Sequence, residues 1–130
     1  MKIAVLGTGK MGAAMIKGLT RNSLNENELV VTNTTGRLPE LLKGLDISCL
    51  ASNAEAVKNA DFIILAILPQ HYPTVLAEIS NYVRTGACLI SIAPGYTLRK
   101  LNELTDNRLQ IVRAMPNTPA LVGAGMIAVC

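Results

Sequence analysis

Three glycines near the amino terminus, Gly7, Gly9 and Gly12, have the spacing of a turn that binds a dinucleotide pyrophosphate. They follow a short apolar run, Ile3–Leu6, and precede residues with helical spacing. Gly7 permits a tight turn, Gly9 lets the backbone approach a phosphate, and Gly12 allows close packing of helix on strand. We expect a valine at position 9 to block the pyrophosphate and also to strain the turn. The alternative is a glycine-rich turn without a ligand.

Free N–H groups and the positive dipole end of the following helix are the means by which such a turn holds phosphate. The sequence therefore predicts a pyrophosphate site made by the turn and the start of the helix: Gly7, Thr8, Gly9, Lys10, Met11 and Gly12.

The segment after the second predicted strand indicates which dinucleotide is preferred. NAD-selective domains place Asp or Glu there to bind the ribose 2′-hydroxyl, but residues 32–37 contain no carboxylate. The polar residues present are Asn33, Thr34, Thr35 and Arg37. Their hydroxyl, amide and guanidinium donors can bind a 2′-phosphate. The pattern favours NADP, and a solvated polar turn is the alternative.

Three proline-containing segments, 67–70, 92–95 and 114–119, each follow a predicted strand. Ligands of open α/β sheets lie beyond the carboxyl ends of the strands, so these segments are expected to face the crevice. A rigid, donor-poor backbone suits a flat nicotinamide ring, to which Asn117 and Thr118 would offer the few polar contacts. The alternative is that the prolines only end strands.

Apolar runs of four to seven residues alternate with segments of helical spacing along the whole chain. The predicted strands are Ile3–Leu6, Leu29–Thr32, Ile47–Leu50, Phe62–Leu68, Cys88–Ile92, Gln110–Ala114 and Met126–Val129. The predicted helices are Met11–Thr20, Pro39–Lys43, Asn53–Asn59, Pro73–Val83 and Leu98–Leu104. This order predicts an α/β fold, a doubly wound Rossmann-type, mostly parallel sheet in three layers.

Composition is consistent with one domain over residues 1–130, with 50% hydrophobic and 16% charged residues. The apolar excess suggests a surface made for a partner. A net charge of +3 without basic runs argues against nucleic acid, and no apolar run has the length of a membrane span. Three scattered cysteines and one histidine predict neither a disulfide framework nor a metal site. We expect a cytoplasmic protein with buried free thiols.

The only histidine, His71, has no Ser, Cys or carboxylate neighbour in sequence that would indicate nucleophilic catalysis. A position at the surface or at a helix start is the more economical interpretation, and no catalytic residue is assigned.

The stretch 112–123, Val-Arg-Ala-Met-Pro-Asn-Thr-Pro-Ala-Leu-Val-Gly, is far more specific than the glycine turn. Together with the turn and with Ser91-Ile-Ala-x-Gly95, it resembles the N-terminal half of pyrroline-5-carboxylate reductase over the whole chain. The resemblance implies NADPH- or NADH-dependent reduction of the cyclic imine L-1-pyrroline-5-carboxylate to L-proline, the last step of proline biosynthesis. It also implies that a nicotinamide is held by these residues: Ala66, Ile67, Leu68, Pro69, Ala93, Pro94 and Asn117.

In that family a helical second domain follows, forms the homo-oligomer and supplies the substrate pocket. We therefore expect residues 1–130 alone to be inactive. Leu68 stands where the family usually has lysine, Ala124 where it usually has glutamate, and Pro94 where alanine is common. Three interpretations stay open: the cofactor half of an NADP-dependent imine reductase, another Rossmann reductase, and a regulatory or competence-type module that binds dinucleotide without turnover.

Overall fold

The computed structural model describes residues 1–21 and 28–130 and consists of seven strands with helices on both faces of the sheet. The strands are β1 (Ile3–Leu6), β2 (Leu29–Thr32), β3 (Ser48–Leu50), β4 (Phe62–Leu65), β5 (Cys88–Ser91), β6 (Gln110–Pro116) and β7 (Ile127–Val129). The α-helices are α1 (Lys10–Arg21), α2 (Asn53–Val57), α3 (Tyr72–Ile79) and α4 (Leu98–Leu104). Short 3-10 turns cover Glu40–Leu42, Pro69–His71 and Thr118–Val122.

The strand order is β3-β2-β1-β4-β5-β6-β7. The strands β1 to β6 run parallel to one another, and only β7 is antiparallel, paired with β6. The order reverses between β1 and β4, so this pair forms the topological switch point at which open α/β sheets bind ligands. The predicted Rossmann-type fold is confirmed.

Strand β1 shows how the two faces of the sheet are filled. Ile3 and Val5 point into the core beneath α1, whereas Ala4 and Leu6 point into the core beneath α2, α3 and α4. All four are buried, as a strand covered on both sides requires. The helix α1 contributes Ile16, which is completely buried and stabilises the fold by about 1.5–3 kcal/mol.

The predicted bounds of β1, β2 and α4 agree with the structure, and other ends differ for local reasons. The predicted strand 62–68 was too long, because β4 ends at Leu65 before the 3-10 turn at Pro69–His71. The predicted helix 39–43 is a single 3-10 turn. Strand β6 runs two residues further than predicted because β7 pairs with Ala114–Pro116.

The helices on the second face are also shorter than predicted. Helix α2 ends at Val57, and Asn59 then takes a left-handed backbone conformation with φ 62°. Helix α3 ends at Ile79 rather than at Val83. Within the described residues, no helix is long and apolar enough to cross a membrane.

Candidate functional site

The glycine turn connects β1 to α1 at the switch point. Gly7 has φ +104°, and an added Cβ would lie 2.5 Å from the Ala66 carbonyl oxygen. Its N–H donates to the Thr32 carbonyl at 3.0 Å, which binds the turn to the end of β2. Gly12 is buried in α1, where a Cβ would collide with the Gly7 carbonyl. Both positions therefore require glycine for the fold itself.

Gly9 differs from these two glycines. An added Cβ would meet nothing within 4 Å, and the residue is not among those with positive φ. The expected strain from valine at position 9 was therefore wrong, since the backbone conformation is open to all residues and an added Cβ meets no neighbour. The Gly9 carbonyl accepts the Ala13 N–H at 2.8 Å and so begins α1. Its open side faces solvent, where a ligand can approach.

A cleft of about 770 Å³ lies beyond the carboxyl ends of β1, β4, β5 and β6. That volume is typical of a cofactor or small-molecule site. Most of the predicted cofactor residues line it: Gly7, Thr8, Gly9, Lys10, Met11, Asn33, Thr34, Ala66, Ile67, Leu68, Pro69, Ala93 and Pro94. The structure thus brings together residues that are separated by up to 87 positions in sequence.

Four predicted residues do not line this cleft: Gly12, Thr35, Arg37 and Asn117. Gly12 packs behind the turn, and Thr35 and Arg37 belong to the segment after β2. Asn117 has a different task, because its Oδ1 accepts the Met126 N–H at 2.8 Å. This bond joins the two sides of the connection between β6 and β7, so a nicotinamide contact by Asn117 stays a prediction.

Asn33 organises the segment after β2. Its Nδ2 donates to Thr8 Oγ1 at 3.0 Å and to the Arg37 carbonyl at 2.7 Å. Its Oδ1 accepts the N–H and the hydroxyl of Thr35, both at 3.0 Å. The amide has only two N–H donors, and both are used within the chain. Asn33 therefore shapes the turn instead of offering its own donors to a ligand.

The groups that stay available at this turn are those of Thr34 and Arg37. Both residues are exposed, and Thr34 lines the cleft. Within residues 1–21 and 28–130, the Arg37 guanidinium makes no ion pair or hydrogen bond. Only its backbone is engaged, by Asn33 and Thr35. A free guanidinium beside a turn without carboxylates is suited to a phosphate.

A smaller cavity of about 240 Å³ adjoins the cleft at the ends of β2 and β3, and we call it the side bay. Sequence reasoning missed several residues that line it: Thr32, Ala51, Asn53, Thr74 and Val75. Their position in the sequence could have indicated them, since Ala51 and Asn53 follow the carboxyl end of β3, on the side of the sheet where ligands bind. The bay occupies the place that an adenosine takes in this fold.

The opposite end of the cleft is apolar. Leu68, 59% exposed, lines it together with Ala93 and Pro94. Three further residues complete this end, all from segments predicted to face the crevice but not assigned to a cofactor: Ile92, Met115 and Pro116. We call these six residues the apolar wall.

The only titratable side chains among the cleft residues are Lys10 and His71. Lys10 opens helix α1, on the phosphate side. His71 is exposed at the end of the 3-10 turn before α3, as predicted, and it lines the side bay as well as the cleft. No proton donor among the described residues therefore belongs to the apolar wall.

Tyr72 supports the strand ends beneath the cleft. The residue is completely buried, and its hydroxyl donates to the Leu65 carbonyl at 3.0 Å while lying 3.1 Å from Ser91 Oγ. Burial raises the pKa of this hydroxyl. Its ring packs on Tyr96 with centroids 4.7 Å apart. Tyr72 therefore ties β4 to β5 as a neutral structural group.

Comparison with known sequences gives a family match over residues 2–95, to the family described as NADP oxidoreductase coenzyme F420-dependent. Curated relatives match further along the chain. The pyrroline-5-carboxylate reductase of Haemophilus influenzae is 35% identical over 124 residues, which are 95% of this chain and 46% of the relative. That of Escherichia coli K12 is 36% identical over 130 residues, 98% of this chain and 48% of the relative. The chain spans about half the length of these relatives.

Solved structures give the same result. Pyrroline carboxylate reductase of Plasmodium falciparum with NADP bound superposes with a TM-score of 0.87 at 30% identity, covering 100% of this chain and 47% of that one. The pyrroline-5-carboxylate reductase of Coxiella burnetii superposes with a TM-score of 0.90 at 30% identity, covering 98% of this chain and 48% of that one. A 3-hydroxyisobutyrate dehydrogenase of Mycobacterium tuberculosis shares the fold, with a TM-score of 0.81. It is 18% identical, and the superposition covers 98% of this chain and 45% of that one.

Proposed function

This chain belongs to the coenzyme F420-dependent NADP oxidoreductase family, and from that premise we propose that it is the cofactor-binding part of an NADPH-dependent imine reductase. The proposed substrate is L-1-pyrroline-5-carboxylate and the product L-proline. The observation that carries the proposal is the cleft, in which a polar turn after β2, an open glycine turn after β1 and an apolar wall follow one another along the carboxyl ends of the strands.

The residues present fit a dinucleotide. Gly9 leaves the approach to the helix amino terminus open, because nothing lies within 4 Å of the place a Cβ would take. The first turn of α1 contains no acidic residue, and Lys10 adds a positive charge there. A pyrophosphate at this position would gain both backbone N–H groups and the helix dipole.

The segment after β2 supports NADPH as the preferred cofactor. Arg37 offers a guanidinium that has no partner within residues 1–21 and 28–130, and Asn33 holds the turn that carries it. The 2′-phosphate is the only group that distinguishes NADPH from NADH, so a free cation without a competing carboxylate favours the phosphorylated form. The NADP-bound Plasmodium falciparum relative supports the same choice.

The cofactor, when bound, supplies the hydride that goes to the imine carbon, while the nitrogen takes up a proton. The residues of this chain orient the nicotinamide ring and enclose the reacting carbon. Ala93 and Pro94 present a rigid backbone with few donors on one side of the cleft, and Leu68 and Met115 present apolar side chains. These groups exclude water from the reacting carbon and fix one face of the ring.

The imine substrate is supported by the region beyond the family match. That match ends at residue 95, but the curated reductases align over 95–98% of the chain, which includes the Met115–Pro119 segment. We also propose that residues 1–130 act as one cofactor domain, that a second domain supplies the proton donor and the homo-oligomer, and that the protein is cytoplasmic.

The test is NADPH oxidation with the imine, measured for residues 1–130 and for the same residues joined to the second half of the Haemophilus influenzae relative. We expect turnover only from the joined protein, because orientation and water exclusion together can lower the barrier by about 7–11 kcal/mol, and a pocket that lacks one wall loses most of this effect. Full turnover by residues 1–130 would contradict this division of labour. Tight NADPH binding without turnover by the joined protein would instead indicate a module that only binds dinucleotide.

A further inference from the structure

We propose that Glu78 is a positioning residue that fixes the side-chain amide of Asn53 for contact with the adenosine part of the cofactor. The inference rests on the proposed binding of NADPH in the cleft. It concerns a carboxylate on α3 that sequence reasoning did not connect with the cofactor.

Two hydrogen bonds connect Glu78 to the end of β2. The Thr32 hydroxyl donates to Asn53 Oδ1 at 2.7 Å, and Asn53 Nδ2 donates to Glu78 Oε2 at 3.0 Å. Thr32 is 2% exposed, Asn53 is half-buried at the start of α2, and Glu78 is exposed on α3. The three side chains therefore join three elements at the cleft edge.

The chemistry of these partners sets the orientation of the Asn53 amide. An ionised carboxylate can only accept hydrogen bonds, so it selects the amide nitrogen. A flipped amide would place Oδ1 against Oε2 of Glu78, two acceptors without a proton between them. Glu78 thus holds Nδ2 of Asn53 toward α3 and leaves Oδ1 toward Thr32. One N–H and one Oδ1 lone pair of Asn53 have no partner in the part of the chain that the structure describes.

Asn53 lines the side bay, which shares Gly7, Asn33 and Thr34 with the main cleft. Glu78 lines neither cavity and therefore acts on a ligand through Asn53. A ribose hydroxyl or an adenine edge, which both donates and accepts, matches the free pair of groups on the Asn53 amide. Because NADPH and NADH share these groups, removal of Glu78 should weaken both cofactors equally.

The experiment measures the dissociation constants of NADPH and NADH by calorimetry at one ionic strength. We expect Glu78→Ala to weaken both cofactors about tenfold, with their ratio unchanged. In Glu78→Gln the new side-chain amide can accept or donate a hydrogen bond, so it no longer selects one orientation of the Asn53 amide. We therefore expect an intermediate loss of affinity for both cofactors. Glu103→Gln, the same charge change at an exposed position on α4, should leave both constants unchanged.

A double-mutant cycle tests the route through Asn53. Asn53→Ala should weaken binding at least as much as Glu78→Ala, and adding Glu78→Ala to it should cause no further loss. As a readout independent of the ligand, the Asn53 side-chain N–H protons should exchange faster in Glu78→Ala than in the wild type.

Unchanged affinities in Glu78→Ala, additive losses in the double mutant, or tighter NADPH with unchanged NADH would each overturn the inference. The last result would show that the carboxylate acts directly as a charge. If the wild-type chain binds neither cofactor, the proposed function fails first and this inference fails with it.

Discussion

The two ends of the cleft are built on different principles. At the adenosine end, polar side chains are already joined to one another, as Asn33 shows by bonding Thr8, Thr35 and the Arg37 backbone. At the other end, the apolar wall presents Pro94 and exposed aliphatic side chains. The first end is prepared to recognise a ligand, and the second to enclose one.

This difference indicates how binding and chemistry are divided. A preorganised polar end supplies affinity and selectivity because its groups need not be reordered when a ligand arrives. An apolar end orients the ligand and excludes water, but it provides no proton. Among the described residues, the apolar wall has no proton donor for an imine nitrogen, so the proposed reduction would need another source of the proton.

The strongest test of the phosphate position between these two ends is a pair of valine substitutions. Gly9→Val should abolish NADPH binding, with an affinity at least 100-fold lower, while the free energy of unfolding falls by about 1 kcal/mol or less. Gly12→Val should lower that free energy by about 3 kcal/mol or more, because its side chain collides with the Gly7 carbonyl.

Thermal unfolding without ligand and calorimetry with NADPH separate the two outcomes. Normal NADPH binding by Gly9→Val would place the phosphate site elsewhere. An unchanged thermal midpoint in Gly12→Val would mean that α1 does not pack closely on β1.

A smaller effect is expected from converting the adenosine end to the chemistry of an NAD-selective domain. Asn33→Asp places a carboxylate at the end of β2 and removes both side-chain donors to Thr8 and to the Arg37 carbonyl. We expect NADPH affinity to fall about tenfold or more, and NADH affinity to change much less. Fluorescence titration of both cofactors measures the ratio, and an equal loss for both would mean that only the turn was loosened.

The smallest effect concerns the amino-terminal ends of the central strands β1 and β4, opposite the cleft. The Lys2 backbone N–H, at 2.7 Å, and then Arg84 hold the pKa of the Asp61 carboxyl below its usual value. A depressed pKa in the folded state means that Asp61 stabilises the fold above its unfolded pKa, near 4. That contribution is lost as the pH falls through the lower, folded pKa.

Urea unfolding of the wild type and of Asp61→Asn between pH 2 and 7 measures this contribution. The wild type should be modestly more stable at neutral pH, and the two curves should converge in acid. NADPH affinity should be the same in both proteins. A difference in stability that persists at pH 2, or a loss of NADPH affinity, would contradict this assignment.

Local features of the sequence were sufficient for much of this architecture. The apolar runs of β1 and β2, the glycine turn and the Thr97 cap of α4, whose hydroxyl accepts the Lys100 N–H at 3.2 Å, all depend on residues close in sequence. The crevice segments were also predictable, because parallel strands must end at the same edge.

Contacts between distant residues could not be predicted in the same way. The hydrogen bond from the Met126 N–H to Asn117 Oδ1 depends on the return of β7, which no local feature around Asn117 indicates, and the nicotinamide contact of Asn117 stays a prediction. The link from Thr32 through Asn53 to Glu78 spans three elements. Asn33 was identified as a ligand donor because its type fits, whereas only the folded turn shows that its donors are already used.

Selection of NADPH by the adenosine end of this cleft is best measured by calorimetric titration of both cofactors into the wild type and Arg37→Ala. We expect the wild type to bind NADPH more tightly than NADH. In Arg37→Ala the loss should be about 1.5–3 kcal/mol, roughly 10- to 150-fold, for NADPH alone. Equal affinities of the wild type for the two cofactors, or an equal loss of both in Arg37→Ala, would contradict it.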